Sequence, residues 1–207
     1  MFKYVREFWN TTEMIALGLV FFLGLGTSVF YIRWNLFLIF IIGIVFFAIM
    51  EYVIHRFLLH GSFLQKIKLS QHLKHLHDEH HQHSDELAGI LLPVWLTLPV
   101  LFLLGIIVQL IMWDITMTIA FVTGVSGMLL YHQWRHFSAH RPIKPLTFIG
   151  KWLKNYHLQH HIINNHCCFS LTNPLMDLLF RTYHNPGKQS QEQSSRRLQR
   201  SHTSVLK

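Results

Sequence analysis

Apolar residues run in long blocks that end sharply at polar ones. Met14 to Ile32 carries no charged residue, and about 20 apolar residues is the length at which a helix crosses roughly 30 Å of hydrocarbon. Arg33, Trp34 and Asn35 make a polar turn, after which Leu36 to Met50 is apolar again and runs into Glu51. Leu87 to Trp113 and Ile115 to Tyr131 form a second pair hinged at Asp114. The pattern predicts four spans and an all-α integral membrane protein. A secretory signal peptide is the competing reading of the first block, since Lys3 and Arg6 precede it. That block is too long for one and lacks a small-x-small cleavage site.

Composition agrees with the pattern. Of 207 residues, 51% are hydrophobic and only 14% charged, and the mean hydropathy is +0.29. Such a chain is neither disordered nor an ordinary soluble domain. Cys167 and Cys168 are adjacent, so a disulfide between them would close a strained ring, and the two cysteines make no disulfide framework. Four spans put the N-terminal arm, residues 51–86 and everything after 131 on one side. That side holds 17 of the 18 Lys and Arg, with Arg33 alone opposite, which places it in the cytoplasm. The net charge of +8 flanks the spans and suits anionic headgroups. No basic helix or aromatic reading surface points to nucleic acid. The stretch from Asn185, rich in Gln, Ser and Arg, reads as a disordered basic tail, so the expected division is a membrane domain at 1–184 and a tail at 185–207.

All 17 histidines fall on the side with the basic residues, none before His55 and none between His83 and His132. They cluster at the end of span two (His55, His60), before span three (His72, His75, His77, His80, His81, His83), after span four (His132, His136, His140) and beyond (His157, His160, His161, His166). His184 and His202 stand apart. Residues three and four apart share a helix face, so His77, His80 and His81 offer three rings to one side, as do His157, His160 and His161. Neighbours such as His160 and His161 diverge by about 100° and can serve two adjacent metals. His136 and His140 share a face, with His132 one turn earlier. His55 and His60 are five apart and rotate by about 140° on a regular helix. Either they feed different metals or the helix ends between them.

One such cluster in a basic loop is more often a solvated patch than a ligand set. Four on one membrane face differ, because protonated rings beside 17 Lys and Arg would repel one another, whereas neutral imidazole is the commonest metal ligand. Carboxylates are scarce, and neither the Glu-x-x-His of ferritin-like di-iron sites nor the His-Glu-x-x-His of zincins is present. Haem would place single histidines inside the spans. The arrangement that fits best is a histidine-rich helical cap on the cytosolic face holding an all-histidine dinuclear iron centre, open to dioxygen and to a lipid chain.

The order Glu51-Tyr-Val-Ile-His55-Arg-Phe-Leu-Leu-His60, His77-Asp-Glu-His80-His81, His136-Phe-Ser-Ala-His140 and His157-Leu-Gln-His160-His161 resembles the fatty acid hydroxylase/sterol desaturase superfamily, and most of all its fatty acid 2-hydroxylase branch. The similarity runs from about residue 45 to 183 and includes Leu171-Thr-Asn-Pro-Leu-Met-Asp177-Leu-Leu-Phe180-Arg-Thr182. It implies metal ligands at His55, His60, His77, His80, His81, His136, His140, His157, His160 and His161, holding two iron ions that zinc can replace. It also implies hydroxylation of a lipid acyl chain or free fatty acid with dioxygen and two electrons, with C2 the position of that branch. Eukaryotic members often carry a fused cytochrome of the b5 type, for which this chain has no room, so a separate ferredoxin or b5-type donor is expected. The chain departs from the family at His132, where an aromatic or acidic residue is usual, and at Arg181, where Gly is usual. His72 is one residue out of step and is left off the ligand set.

Other residues have two readings each. Glu51, one turn before His55, either snorkels to the headgroups or pairs with Arg56, or accepts an N–H from a ligand imidazole, His55 being the first candidate and a histidine of another box the second. Pro93 and Pro99 fall in span three, where a kink is expected. Phe46, Phe47 and Trp95 line an acyl path or anchor the interface; Cys167 and Cys168 are packing residues. Rival functions are a desaturase or a sterol or carotenoid hydroxylase with the same histidines, and a metal transporter or sensor, for which the spans offer too few polar residues.

Overall fold

The computed structural model describes residues 1–31, 33–62 and 64–184, with the side chain of Ala88 excepted. The helices are α1 (Phe2–Trp9), α2 (Thr12–Phe30), α3 (Trp34–Val53), which continues as a π-helical turn (Ile54–Leu59), α4 (Lys68–Gln82), α5 (Leu87–Ile90), α6 (Val94–Met112), α7 (Ile115–His140), α8 (Phe148–Ile162) and α9 (Leu175–Leu179). No strand occurs among the described residues. Four helices, α2, α3 with its π-helical turn, α6 and α7, are long and apolar enough to cross a membrane, and their outward faces carry exposed Leu23, Phe102 and Leu110. The protein is a membrane protein. The predicted tail and His202 lie outside the described residues.

The bundle is built on α7, against which α2, α3 and α6 all pack. Without water to drive apolar surfaces together, helices in lipid associate by close fit. Two glycines give that fit between α3 and α7. A Cβ on Gly43 would lie 2.3 Å from the Phe121 carbonyl oxygen, and one on Gly124 would lie 2.1 Å from that of Phe40. At the end away from the histidines, Asp114 caps α7 by accepting from Thr116 N at 2.8 Å and Met117 N at 3.2 Å. Arg33 reaches the same turn, donating to Thr116 Oγ1 at 3.0 Å.

Three boundaries differ from the sequence expectation. Span three begins at Val94 rather than Leu87, because Pro93 cannot continue a helix and forces the residue before it out of the helical region. Leu87–Ile90 becomes the separate α5, Leu91 to Pro93 is non-helical, and Pro99 is accommodated inside α6. Spans two and four run on to Leu59 and His140, 26 residues each, or about 39 Å at 1.5 Å per residue. That exceeds the hydrocarbon by about two turns, and the excess carries His55, His136 and His140. The third difference is the π-helical turn itself. Its His60 N–H bonds the His55 carbonyl at 3.1 Å, an i→i+5 closure, so residues five apart stack on one face. The helix does end between His55 and His60, at Leu59 with His60 its cap, but it is the wider winding before that end that brings the rings together.

Two lysines fix the cap. Lys154 on α8 donates to the carbonyls of Ser138, Arg141 and Ile143 at 2.9, 2.6 and 3.0 Å, satisfying the bare C-terminal end of α7. Lys74 on α4 donates to the Leu59 carbonyl at 3.1 Å, at the end of the π turn. The amphipathic α1 lies against α7 through Phe8, whose ring meets Trp134 and Phe137 at 5.2 and 5.4 Å. Arg141 clasps Glu7 Oε1 through Nε at 2.9 Å and Nη2 at 2.7 Å.

The chain leaves α9 through Arg181, exposed and at φ 58°, a left-handed conformation that costs a residue with a Cβ about 1–2 kcal/mol. Glycine escapes that cost and gives part of it back in unfolded-chain entropy. Arg181→Gly is therefore expected to raise stability by about 1 kcal/mol or less, read as a higher thermal midpoint in detergent. A lower midpoint would show that the arginine side chain supplies contacts outweighing the strain.

Candidate metal centre

The ten histidines of the four boxes gather into two groups of five. His55, His60, His77, His81 and His160 form one, and His80, His136, His140, His157 and His161 the other; within each group the candidate ligand atoms all lie within 4.8 Å of one another. The groups are built alike. Each takes one pair from the end of a long span (His55/His60 or His136/His140), an i,i+4 pair from one cap helix (His77/His81 on α4 or His157/His161 on α8) and a single ring from the other cap helix (His160 or His80). The divergence expected of neighbouring residues is realised at both His80/His81 and His160/His161. The shared face expected for each trio is not, because the middle histidine crosses to the other group. The groups touch where His81 and His161 stack, 4.1 Å between centroids.

The nitrogens themselves fit a cation. His77 Nε2 lies 3.2 Å from His55 Nε2, 2.9 Å from His60 Nε2 and 3.1 Å from His81 Nε2. One nitrogen carries at most one hydrogen, so it cannot bond all three. In the other group His136 Nε2 is 2.9 Å from His80 Nε2, and His140 Nε2 is 2.9 Å from His157 Nε2. About 3 Å is the edge between ligands set at right angles about 2.1 Å from a common ion. His80 Nδ1 and both nitrogens of His161 are buried without hydrogen-bond partners among the described residues. Each group could hold one metal ion.

Backbone carbonyls turn three rings the right way. A carbonyl only accepts, so the imidazole nitrogen facing it is the N–H, and Nε2 is left with its lone pair. His55 Nδ1 donates to Phe169 O, His160 Nδ1 to Cys167 O at 2.7 Å, and His136 Nδ1 to Ile90 O at 2.7 Å. The Ile90 carbonyl is free because Pro93 ends the helix there. Cys167 and Phe169 stand in the segment after α8, and that segment is itself clamped by two buried carboxylates. Asp177 accepts from Phe169 N at 2.9 Å and Ser170 N at 2.8 Å. Glu51 accepts from Leu171 N at 2.5 Å, from Thr172 N at 3.0 Å and from the Thr172 hydroxyl.

The expectation for Glu51 is thereby corrected. It bonds neither His55 nor Arg56, whose guanidinium donates to the Tyr52 hydroxyl; four consecutive backbone N–H groups of the loop lack other partners, and the nearest carboxylates take them. Its histidine neighbour is His132, whose Nδ1 is 3.3 Å away and off hydrogen-bond alignment. His132, His72 and His75 belong to neither group. His75 sits exposed 3.5 Å from Glu79, and His72 lies over Trp95. Asp177 stands within the Leu171–Thr182 motif, and its role has no signal in spacing, because it acts on backbone groups. Cys167 and Cys168 are buried, and neither is in a ligand group.

Burial keeps the rings uncharged. It pushes His80 down to about 4, with His81 adding to the effect, and it pushes His60 down to about 3, with repulsion from His160 next. His77 and His157 are lowered for the same first reason. An apolar cavity of about 390 Å³ opens beside both groups, reaching His55 and His77 of one and His136 and His157 of the other, and it is walled by Phe47 and Trp95 among others.

The profile of the fatty acid hydroxylase family matches residues 40–182. The chain belongs to that family. It is 29% identical over 143 residues to the dihydroceramide fatty acyl 2-hydroxylase FAH1 of Arabidopsis thaliana, covering 69% of this chain and 59% of that protein. With the ceramide very long chain fatty acid hydroxylase SCS7 of Saccharomyces cerevisiae the figures are 30% over 155 residues, 72% and 38%. The mouse fatty acid 2-hydroxylase matches at 29%, over 70% of this chain and 39% of its own length. The chain thus spans between about two fifths and three fifths of these relatives. The solved structure of full-length scs7p, in which only the hydroxylase domain is visible, shares the fold at a TM-score of 0.74 and 23% identity, covering 86% of this chain and 67% of that one.

Asp177→Asn would turn an amide N–H toward one of the two backbone donors it now serves. The expected result is a loss of about 1–3 kcal/mol of stability and about 10 to 100-fold weaker metal retention, followed by thermal melting and by metal content after dialysis against a chelator. Wild-type values in both would show that the clamp does not support the rings.

For the metal-free protein the sign of the pH effect follows from the lowered values. Below the ordinary histidine range near 6.5 the unfolded chain takes up protons that the folded chain refuses, so stability falls with pH until about 4 for His80 and about 3 for His60. Metal-stripped protein is expected to melt progressively lower as pH drops from 7 to about 4; a flat profile over that window would contradict the neutral cluster.

Proposed function

We propose that this protein is a membrane-bound di-iron oxygenase that hydroxylates a lipid acyl chain, at C2. The observation that carries the reading is that two five-imidazole groups open on one apolar cavity between the spans. All-imidazole sets suit iron, and they also accept zinc. Bound iron would supply reductive activation of dioxygen, so that one oxygen atom enters a C–H bond and the other leaves as water with two electrons and two protons.

The chain supplies the rest. The ten histidines at 55, 60, 77, 80, 81, 136, 140, 157, 160 and 161 are the ligands in this reading, and the carbonyls of Ile90, Cys167 and Phe169 hold three of them in the tautomer that leaves Nε2 free. Burial excludes bulk water from the rings, and the apolar cavity walls receive a hydrocarbon chain rising from the bilayer. The electrons come from a separate donor of the ferredoxin or cytochrome b5 type. Among the described residues every Lys and Arg but Arg33 lies at the histidine end, which supports a cytoplasmic site, and the Gln-, Ser- and Arg-rich composition of residues 185–207 supports a separate tail. The relatives named as dihydroceramide fatty acyl and ceramide very long chain fatty acid hydroxylases support an acyl lipid as the substrate.

Cells with and without the protein, grown under labelled dioxygen, are expected to differ in 2-hydroxyacyl lipids carrying one labelled oxygen. Purified active protein is expected to hold two metal ions per chain. His160→Ala and His161→Ala, one from each group, should each abolish the product while leaving membrane insertion intact, and His184→Ala should not. Labelled product persisting in either ligand variant would refute the assignment.

A further inference from the structure

A groove of about 740 Å³ runs between α2, α6 and α7, in the half of the bundle away from the histidines. It follows α6 from Leu98 to Leu110, about 18 Å at 1.5 Å per residue and a little over half of the roughly 30 Å hydrocarbon core. Exposed Leu23, Phe102 and Leu110 edge it, so it opens sideways to lipid. Water does not reach that depth to fill it, and its length suits one acyl chain of one leaflet. At its outer end two opposite charges stand together. Arg33 Nη2 donates to the Thr116 hydroxyl at 3.0 Å, and that hydroxyl donates to Asp114 Oδ1 at 2.6 Å, next to Ile115 of the groove wall. Exposed Tyr31, Trp34 and Trp113 mark this as the level of the headgroups. The bonds from Thr116 N and Met117 N also go to Oδ1. Among the described residues that leaves Oδ2 open to a donor, and the rest of the Arg33 fork open to an acceptor. Gln109 lines the groove five residues before Asp114, about 7 Å inward along the helix. It accepts from the Thr118 hydroxyl through Oε1 at 2.9 Å, which leaves its amide N–H groups to donate.

We propose that this groove holds one glycerophospholipid of the leaflet away from the histidines, with its phosphate on Arg33, a primary ammonium on Asp114 Oδ2 and an acyl chain along α6. An anionic headgroup would bring its net charge beside the Asp114 carboxylate, whereas a zwitterion sets one charge against each residue. A quaternary ammonium has no N–H to give Oδ2, and a primary ammonium has three. The Gln109 amide then meets an ester carbonyl, the group that lies between phosphate and chain. The site is separate from the metal centre, for no residue lines both this groove and the cavity at the histidines. A lipid seated there bridges α2 and α6 and stabilises the folded bundle by binding it alone.

The test takes protein washed free of lipid in mild detergent and titrates it with phosphatidylethanolamine, phosphatidylcholine or phosphatidylglycerol of identical chains. Lipid bound per chain is counted by native mass spectrometry, and the melting temperature is followed. Wild type is expected to hold one phosphatidylethanolamine about tenfold more tightly than either other lipid and to melt higher with it. Asp114→Asn keeps an acceptor for the cap of α7 and should bring phosphatidylethanolamine down to the level of phosphatidylcholine. Arg33→Gln should weaken all three lipids about tenfold. Gly105→Leu grows into the groove, where a Cβ meets Val122 Cγ2 at an ordinary 3.7 Å; it should abolish lipid retention with metal content unchanged. Should that variant fail to accumulate, Ile106→Trp, at an exposed position of the groove wall, is scored on the same readouts. Equal retention of the three lipids by wild type, or undiminished retention in the groove-filled variant, overturns the proposal. So does a lipid-free wild-type dimer that Gly105→Leu dissociates, which would give the groove to a second copy of the chain.

Discussion

Ten uncharged imidazoles crowded to nitrogen separations of about 3 Å repel one another unless something lies between them, and backbone carbonyls grip three of the rings from behind. The grip comes from places where regular structure stops. Inside a helix every carbonyl is occupied, so the acceptors for His55, His136 and His160 are found at the last residue of α5, where the helix stops ahead of Pro93, and in the loop after α8. Irregular backbone beside the site is thus a source of orienting groups.

Buried charge is used in a matching way. Glu51 and Asp177 each face consecutive backbone N–H groups of one loop, and Lys154 and Lys74 face the carbonyl ends of the long helices. Glu51, Asp177 and Lys154 each meet several peptide groups of opposite sense, which compensates for their removal from water, and Lys74 meets the single Leu59 carbonyl. The result is a cap fastened to the ends of spans two and four, where α3 and α7 are already pressed together at Gly43 and Gly124. Rigidity made in the membrane is carried outward to the rings.

The sequence makes the spans legible because a lipid-facing helix is apolar on every side, and it makes the boxes legible because ten histidines in four closely spaced sets have few uses. The spacing of His160 and His161 announces two groups. What stays hidden depends on backbone shape or on distant partners. The gap between His55 and His60 is compatible with one group only if the helix widens, and nothing in Ile54–Leu59 states that it does. Leu87–Ile90 looks like part of a span until Pro93 is given its due. Glu51 is visible as an unusual carboxylate, yet its partners are more than a hundred residues along the chain.

The exchange of middle histidines between α4 and α8 has a mechanical meaning. Were each helix to serve one group alone, either could slide and spoil its own group while sparing the other. Because His80 leaves α4 for the group that α8 dominates, and His160 does the opposite, any displacement of one helix against the other pulls at both groups at once. The two halves are interlocked like clasped fingers, and the spacing between them is fixed by the same residues that form them.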